Sequence, residues 1–160
     1  MDTSFASMVA VAGTLLGSAL TYVFQARQTR QIEERAHIRR LREERLAAYA
    51  EFIAAATDFR RSALTHSYRK LENQSSQDFR IARAEADQLQ ALVLRAIIHL
   101  QLLSADEQLV TAARQVQDSV VEIRRAGSEE DRQHHREGSK AALAQFVSIA
   151  ARQLSAVSLD

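Results

Sequence analysis

The sequence predicts an all-α protein in which a single N-terminal transmembrane helix continues into the long first helix of a cytoplasmic antiparallel helical bundle. Three observations carry this prediction. The 160 residues include no proline and only four glycines, so the residues that punctuate strands and β-turns are nearly missing, while alanine, leucine, arginine, glutamine and glutamate favour helix. Residues 5–24, FASMVAVAGTLLGSALTYVF, form an apolar run without a charge. From Ile38 onward, apolar residues return at steps of three and four, the period of a helix face packed on a core.

The first element is the anchor. Twenty helical residues rise roughly 30 Å, the thickness of the hydrocarbon layer of a bilayer. Phe5 at one end and Tyr22 with Phe24 at the other suit the two interfaces. Asp2 is the only charged side chain before the run, whereas Arg27, Arg30, Arg35, Arg39, Arg40, Arg42 and Arg45 follow it. Because positive residues stay on the cytoplasmic side, the N-terminus is expected outside and the rest of the chain inside, a single-pass protein of the inner membrane. A cleaved signal peptide would carry its basic residues ahead of the apolar run, and a core helix of this length would show a polar face.

Within the run, Val9, Gly13, Gly17 and Thr21 share one stripe. Small residues at this spacing let two helix backbones approach closely, so Gly13, Gly17 and Thr21 are the expected helix–helix interface of a homo-oligomer in the membrane. The span has only three leucines, and a partner helix would add packing to its modest apolar transfer energy.

The second segment, QARQTRQIEERAHIRRLREER, holds seven arginines and four glutamates between Gln25 and Arg45. Pairs three or four residues apart support a solvated helix. Arg27, Arg30 and Arg35 lie nearest the bilayer, and basic residues there attract anionic headgroups by about 1 kcal/mol each. The chain thus divides into an anchor (1–24), an arginine-rich stalk (25–37) and a bundle (38–160). No breaker interrupts it before the ENQSSQ stretch at Glu72–Gln77, so one helix from about residue 4 to about residue 70 is expected, roughly 100 Å long.

The bundle follows in order. The first helix presents Ile38, Leu41, Leu46, Tyr49, Phe52, Ile53, Ala56, Phe59, Ala63 and Leu64 to the core. Ser76 is the expected cap of a second helix over about 78–103, whose Phe79, Ala82, Ala86, Leu89, Val93, Ala96, Leu100 and Leu103 make a heptad stripe. Ser104, with Glu107 as capping-box partner, is expected to start a third helix carrying Leu109, Ala113, Val116, Val120 and Ile123. Gly127 is expected to end it. Ser128 with Asp131 signals the last helix, which reaches about Val157 and presents Leu143, Phe146, Val147, Ala150 and Leu154. Phe52, Leu89, Val93, Leu100, Val116 and Phe146 are the expected centre of the core. Short connections favour up-down topology.

Chemistry is sparse. With no cysteine there is neither disulfide nor thiolate site, in keeping with a reducing compartment. Glu130, Asp131, His134, His135 and Glu137 include ligand-like spacings, but they lie on a polar turn without a second Glu-x-x-His on a facing helix. His37 and His66 carry no motif, and His99 lies beside the heptad stripe. No phosphate loop, nucleophile motif or paired buried carboxylates occur. No catalytic residue, cofactor, metal or small-molecule substrate is therefore expected, and the net charge of +1 gives no case for a general nucleic-acid binder. The expected partners are a second copy of the chain, membrane lipids and a further protein. The competing reading is a membrane-tethered binder of nucleic acid or anionic lipid acting through Arg27–Arg45.

The stretches VAGTLLGSALTYVFQAR, RLREERLAAYAEFIAAATDFRR and LLSADEQLVTAARQV resemble small single-span membrane proteins of Streptomyces and related actinobacteria. Some of these carry the label KilB or plasmid spread protein, a group implicated in intermycelial spread of conjugative plasmids. The resemblance implies an actinobacterial membrane protein with a part in plasmid transfer or another membrane assembly, and it supplies no active-site residues.

Overall fold

The computed structural model describes the backbone of residues 2–104 and 106–156 and the side chains of residues 36–104 and 106–155. Among them are four α-helices and no strand: α1 (Asp2–Glu72), α2 (Gln77–Leu103), α3 (Glu107–Arg125) and α4 (Glu129–Ala156). The chain divides into two compact units, Met1–Leu41 and Arg42–Asp160. The side chains of the apolar run 5–24, with Gly13, Gly17 and Thr21, and those of Arg27, Arg30 and Arg35 lie outside the described residues. Among the described residues, no helix is long and apolar enough to cross a membrane.

In the second unit each helix end has a chemical cause. α1 stops at a tight turn in which Asn73 Oδ1 accepts from the Ser75 amide at 2.9 Å. Ser76, in extended conformation, then caps α2 as its Oγ accepts from the Phe79 amide. At the next connection the cap differs from expectation. Asp106, not Ser104, caps α3, its carboxylate accepting from the amides of Gln108 and Leu109. An ionised carboxylate at a helix N-terminus also meets the positive end of the macrodipole, an advantage a serine lacks. Ser104 instead closes α2, its amide donating to the Leu100 carbonyl while its Oγ accepts from the Asp106 amide at 3.2 Å.

α3 ends at Arg125, and its C-cap Ala126 leaves the helix at φ −43° and ψ 129°, its amide donating to the Glu122 carbonyl. Gly127 does not adopt positive φ, so no left-handed glycine cap forms. Three residues, Ala126 to Ser128, make the reversal, and Ser128 starts α4 by accepting from the Asp131 amide at 3.0 Å.

The helices pack up-down-up-down. At one end Tyr49 of α1 meets Gln153 of α4; at the other, Lys70 of α1 reaches the C-terminal carbonyls of α3 at Arg125 and Ala126. The core between these ends is narrow because alanines at Ala48, Ala56, Ala63, Ala82, Ala86, Ala96, Ala112, Ala113 and Ala150 are buried, which lets the backbones approach. Phe52, Phe59, Val93, Leu100, Leu109, Val116, Val120, Ile123 and Phe146 fill the space that remains. Phe52 and Phe146 meet across α1 and α4 with ring centroids 4.5 Å apart and ring planes tilted by 50°. Leu89 is half-buried and packs against this cluster.

Among the described side chains of α1, those from Ile38 to Ala47 are not buried, and Ala48 is. Ile38, Leu41 and Leu46, which the helical period assigned to the core face, are 45%, 38% and 55% exposed. The apolar period of a helix continues whether or not a partner is there to cover it, and these three residues are not part of the buried cluster.

Candidate functional site

The described surface has three features beyond the core. The first is an apolar line on α2. Leu94, Ile98 and Leu102 stand at successive four-residue steps opposite the buried face, and their exposure rises from 44% through 59% to 81%. A helix that buries Ala86, Val93 and Leu100 on one side would ordinarily be polar on the other.

The second is a polar network at the Tyr49 end. The Tyr49 hydroxyl donates to Gln153 Oε1 at 2.7 Å, and Gln153 Nε2 donates to Asp106 Oδ2, whose other oxygen caps α3. Burial raises the Tyr49 phenol above its ordinary value, with the Asp106 carboxylate acting in the same sense and Arg45 opposing it. This network joins α1, α4 and α3 and is structural.

The third is an open groove of about 460 Å³ at the opposite end, lined by His66, Lys70, Phe79, Arg83, Gln90, Val121, Arg124 and Arg125. α1 places His66 and Lys70 one turn apart, α2 contributes Phe79, Arg83 and Gln90, and the last turns of α3 bring Val121, Arg124 and Arg125. Arg124 is held by Asp87 at 2.6 Å and Gln90 at 2.8 Å, and Arg125 by Glu122 at 2.7 Å. Lys70 donates only to backbone carbonyls, at 3.0 and 3.3 Å. The His66 ring lies 5.0 Å from the Phe79 ring; His66 is 6% exposed, and its Nδ1 is buried with no hydrogen-bond partner. Burial holds this imidazole below the usual histidine range, Arg124, Lys70 and Arg83 push it the same way, and Asp87 opposes them.

Of the residues singled out in the sequence, Phe52, Val93, Leu100, Val116 and Phe146 lie in the core. His99 sits on the surface, its Nδ1 3.2 Å from Glu51. His134 and His135 are neighbours on α4 with ring centroids 5.5 Å apart. Among the described residues no group of three or more histidine and acidic side chains could hold a metal ion. The basic groove has no linear motif. A single-sequence reading can see that α1 ends on Lys70 and α3 on Arg124 and Arg125, but not that residues 55 apart along the chain converge.

A family model described as KilB plasmid transfer protein matches residues 46–154. The chain belongs to the KilB plasmid transfer protein family. The match begins two residues before the buried Ala48 of α1 and ends at Leu154, beside Gln153. The KilB match thus coincides with the packed bundle and contains the polar network, the apolar line of α2 and the whole basic groove. The apolar run 5–24 precedes it. No curated protein and no solved structure matches the chain.

Proposed function

We propose that this KilB-family chain is a non-catalytic, membrane-anchored helical scaffold of a plasmid transfer or spread apparatus. The single observation that carries the plasmid-transfer part is the family match over residues 46–154. The uncharged run 5–24 and the arginines that follow it support an anchor in the inner membrane, with the bundle on the cytoplasmic side. The chain associates with copies of itself by packing Gly13, Gly17 and Thr21 of neighbouring spans. Arg27, Arg30 and Arg35 lie against anionic headgroups, and the bundle holds a protein of the same apparatus.

The described part of the chain suits this work. Within Arg42–Asp160 the helices bury their alanines against one another, and Leu94, Ile98 and Leu102 leave apolar surface in water, a feature of proteins that work by contact.

The test is extraction of membranes from cells making the full-length chain. An alkaline carbonate wash strips proteins held at the surface by charge and leaves spanning helices behind. The chain is expected in the pellet; its recovery in the supernatant would reject the anchor.

A further inference from the structure

We infer that the groove between the ends of α1, α2 and α3 binds a small organic phosphate, with Arg83 and Lys70 as the residues that take the phosphate group. The inference is independent of the membrane-scaffold reading and concerns the bundle alone.

Four cations line this groove, and their partners divide them into two kinds. Arg124 and Arg125 already satisfy carboxylates, Asp87 and Glu122, and so form a fixed wall. Lys70 donates to the carbonyls of Arg125 and Ala126, which positions its ammonium without neutralising it and leaves one of its three N–H groups unused. Arg83 lies on the exposed side of α2 with a guanidinium that no carboxylate holds. A guanidinium fork and an ammonium lining one groove make a donor set for a phosphate group, the first bidentate and the second a point charge.

The rest of the groove describes what is attached to the phosphate. Its volume of about 460 Å³ lies in the size range of small-ligand sites and exceeds what a bare phosphate needs. Phe79 and Val121 supply apolar wall, and Gln90 an amide. The His66 ring lies 5.0 Å from Phe79 at a tilt of 41° and is buried, so the organic part of the ligand rests on Phe79 and Val121 themselves. A neutral imidazole with an unpartnered ring nitrogen, surrounded by Arg124, Lys70 and Arg83 and faced by Asp87 alone among acids, is the arrangement that an incoming anion relieves. Phosphate binding is therefore coupled to the proton on His66. Each anion bound lowers the local positive potential and raises the pH at which the ring takes up its proton.

The experiment titrates the full-length chain in mild detergent with ADP, with sodium phosphate and with adenosine, following the His66 ring signals by NMR. ADP is expected to bind saturably and more tightly than orthophosphate, with adenosine weaker than both, and to move the His66 titration to higher pH. Arg83→Glu, at an exposed position without a partner, leaves the fold intact and is expected to weaken ADP by at least about tenfold, as loss of a charge-assisted contact does. Saturation by orthophosphate as tight as by ADP would overturn the inference of an organic ligand, since the groove would then take a free phosphate. Binding of none of the three at millimolar concentration, or ADP binding indifferent to Arg83→Glu, would overturn the inference. So would duplex DNA that binds more tightly than ADP through the same arginine, since the groove would then belong to a polymer.

Discussion

The phenol of Tyr49 donates a 2.7 Å hydrogen bond to Gln153, 104 residues further along the chain. Gln153 in turn donates to Asp106, the residue whose carboxylate starts α3. One short chain of donors and acceptors therefore fixes the register of three helices at one end of the bundle. Asp106 is the member with two duties, so its loss is felt twice. Asp106→Ala is expected to lower the unfolding free energy by about 2 kcal/mol, the upper part of the range for an N-cap, because it also strands the Gln153 amide. Glu107→Ala, which the sequence pattern marks as half of a capping box, is expected to cost only a few tenths. Denaturant titration of the two variants checks this; equal losses would return the cap to the Ser104 and Glu107 pair.

Phe52 and Phe146 are fully buried and in contact. Either residue replaced by alanine is expected to lose about 3–5 kcal/mol, close to the whole stability of a small domain. The two losses should not add. Once one ring is gone the other has lost its partner, and a double-mutant cycle with Leu in place of Ala, to keep the chain folded, is expected to give a coupling of about 1 kcal/mol. Strict additivity would mean that the aromatic pair does not hold α1 to α4.

Ser62 and Ser67 of α1 are buried with hydroxyl oxygens that bond nothing. An unmade hydrogen bond in the interior is a standing cost, and alanine is the better helix former. Ser67→Ala is accordingly expected to raise stability by about 1 kcal/mol, read as a higher midpoint at unchanged slope. A loss would mean that the hydroxyl has a partner.

His66 gives the bundle a pH dependence of definite sign. Its pKa in the folded chain lies below the value of 6.5 it has when unfolded, so the unfolded chain binds more protons and stability rises with pH. The loss begins as pH falls below about 6.5 and grows until the lower, folded pKa is passed. Phenylalanine fills the same space against Phe79 without a proton to gain. The melting temperature of His66→Phe is therefore expected to fall less between about pH 7 and pH 5 than that of the parent chain; parallel curves would show that His66 titrates alike in both states.

The helical fold was legible because nothing in the sequence contradicts it. No proline interrupts the chain, and the three-four spacing of α2 put Ala82, Ala86, Val93, Ala96 and Leu100 on the face that is buried. Periodicity reports which face of a helix is apolar, not where its partners stop, and for that reason Ile38, Leu41 and Leu46 were assigned to a core they do not enter. It equally gave no notice of the apolar line at Leu94, Ile98 and Leu102, which lies opposite the stripe and breaks the usual amphipathic rule. The cap of α3 was misread because Ser104 and Asp106 both suit an N-cap, and only the backbone shows which one precedes the first helical residue. The groove was invisible for a simpler reason: Lys70, Arg83 and Arg124 come from three helices, and no local pattern joins them.

The central claim is a self-associating, membrane-anchored KilB-family scaffold, and its most direct test is the mass of the full-length chain in mild detergent beside that of the Gly13→Leu/Gly17→Leu variant. A defined oligomer is expected for the parent and a smaller species for the variant, since two leucines on the small-residue stripe would hold neighbouring spans apart. A monomeric parent, or an oligomer of unchanged mass in the variant, would contradict it.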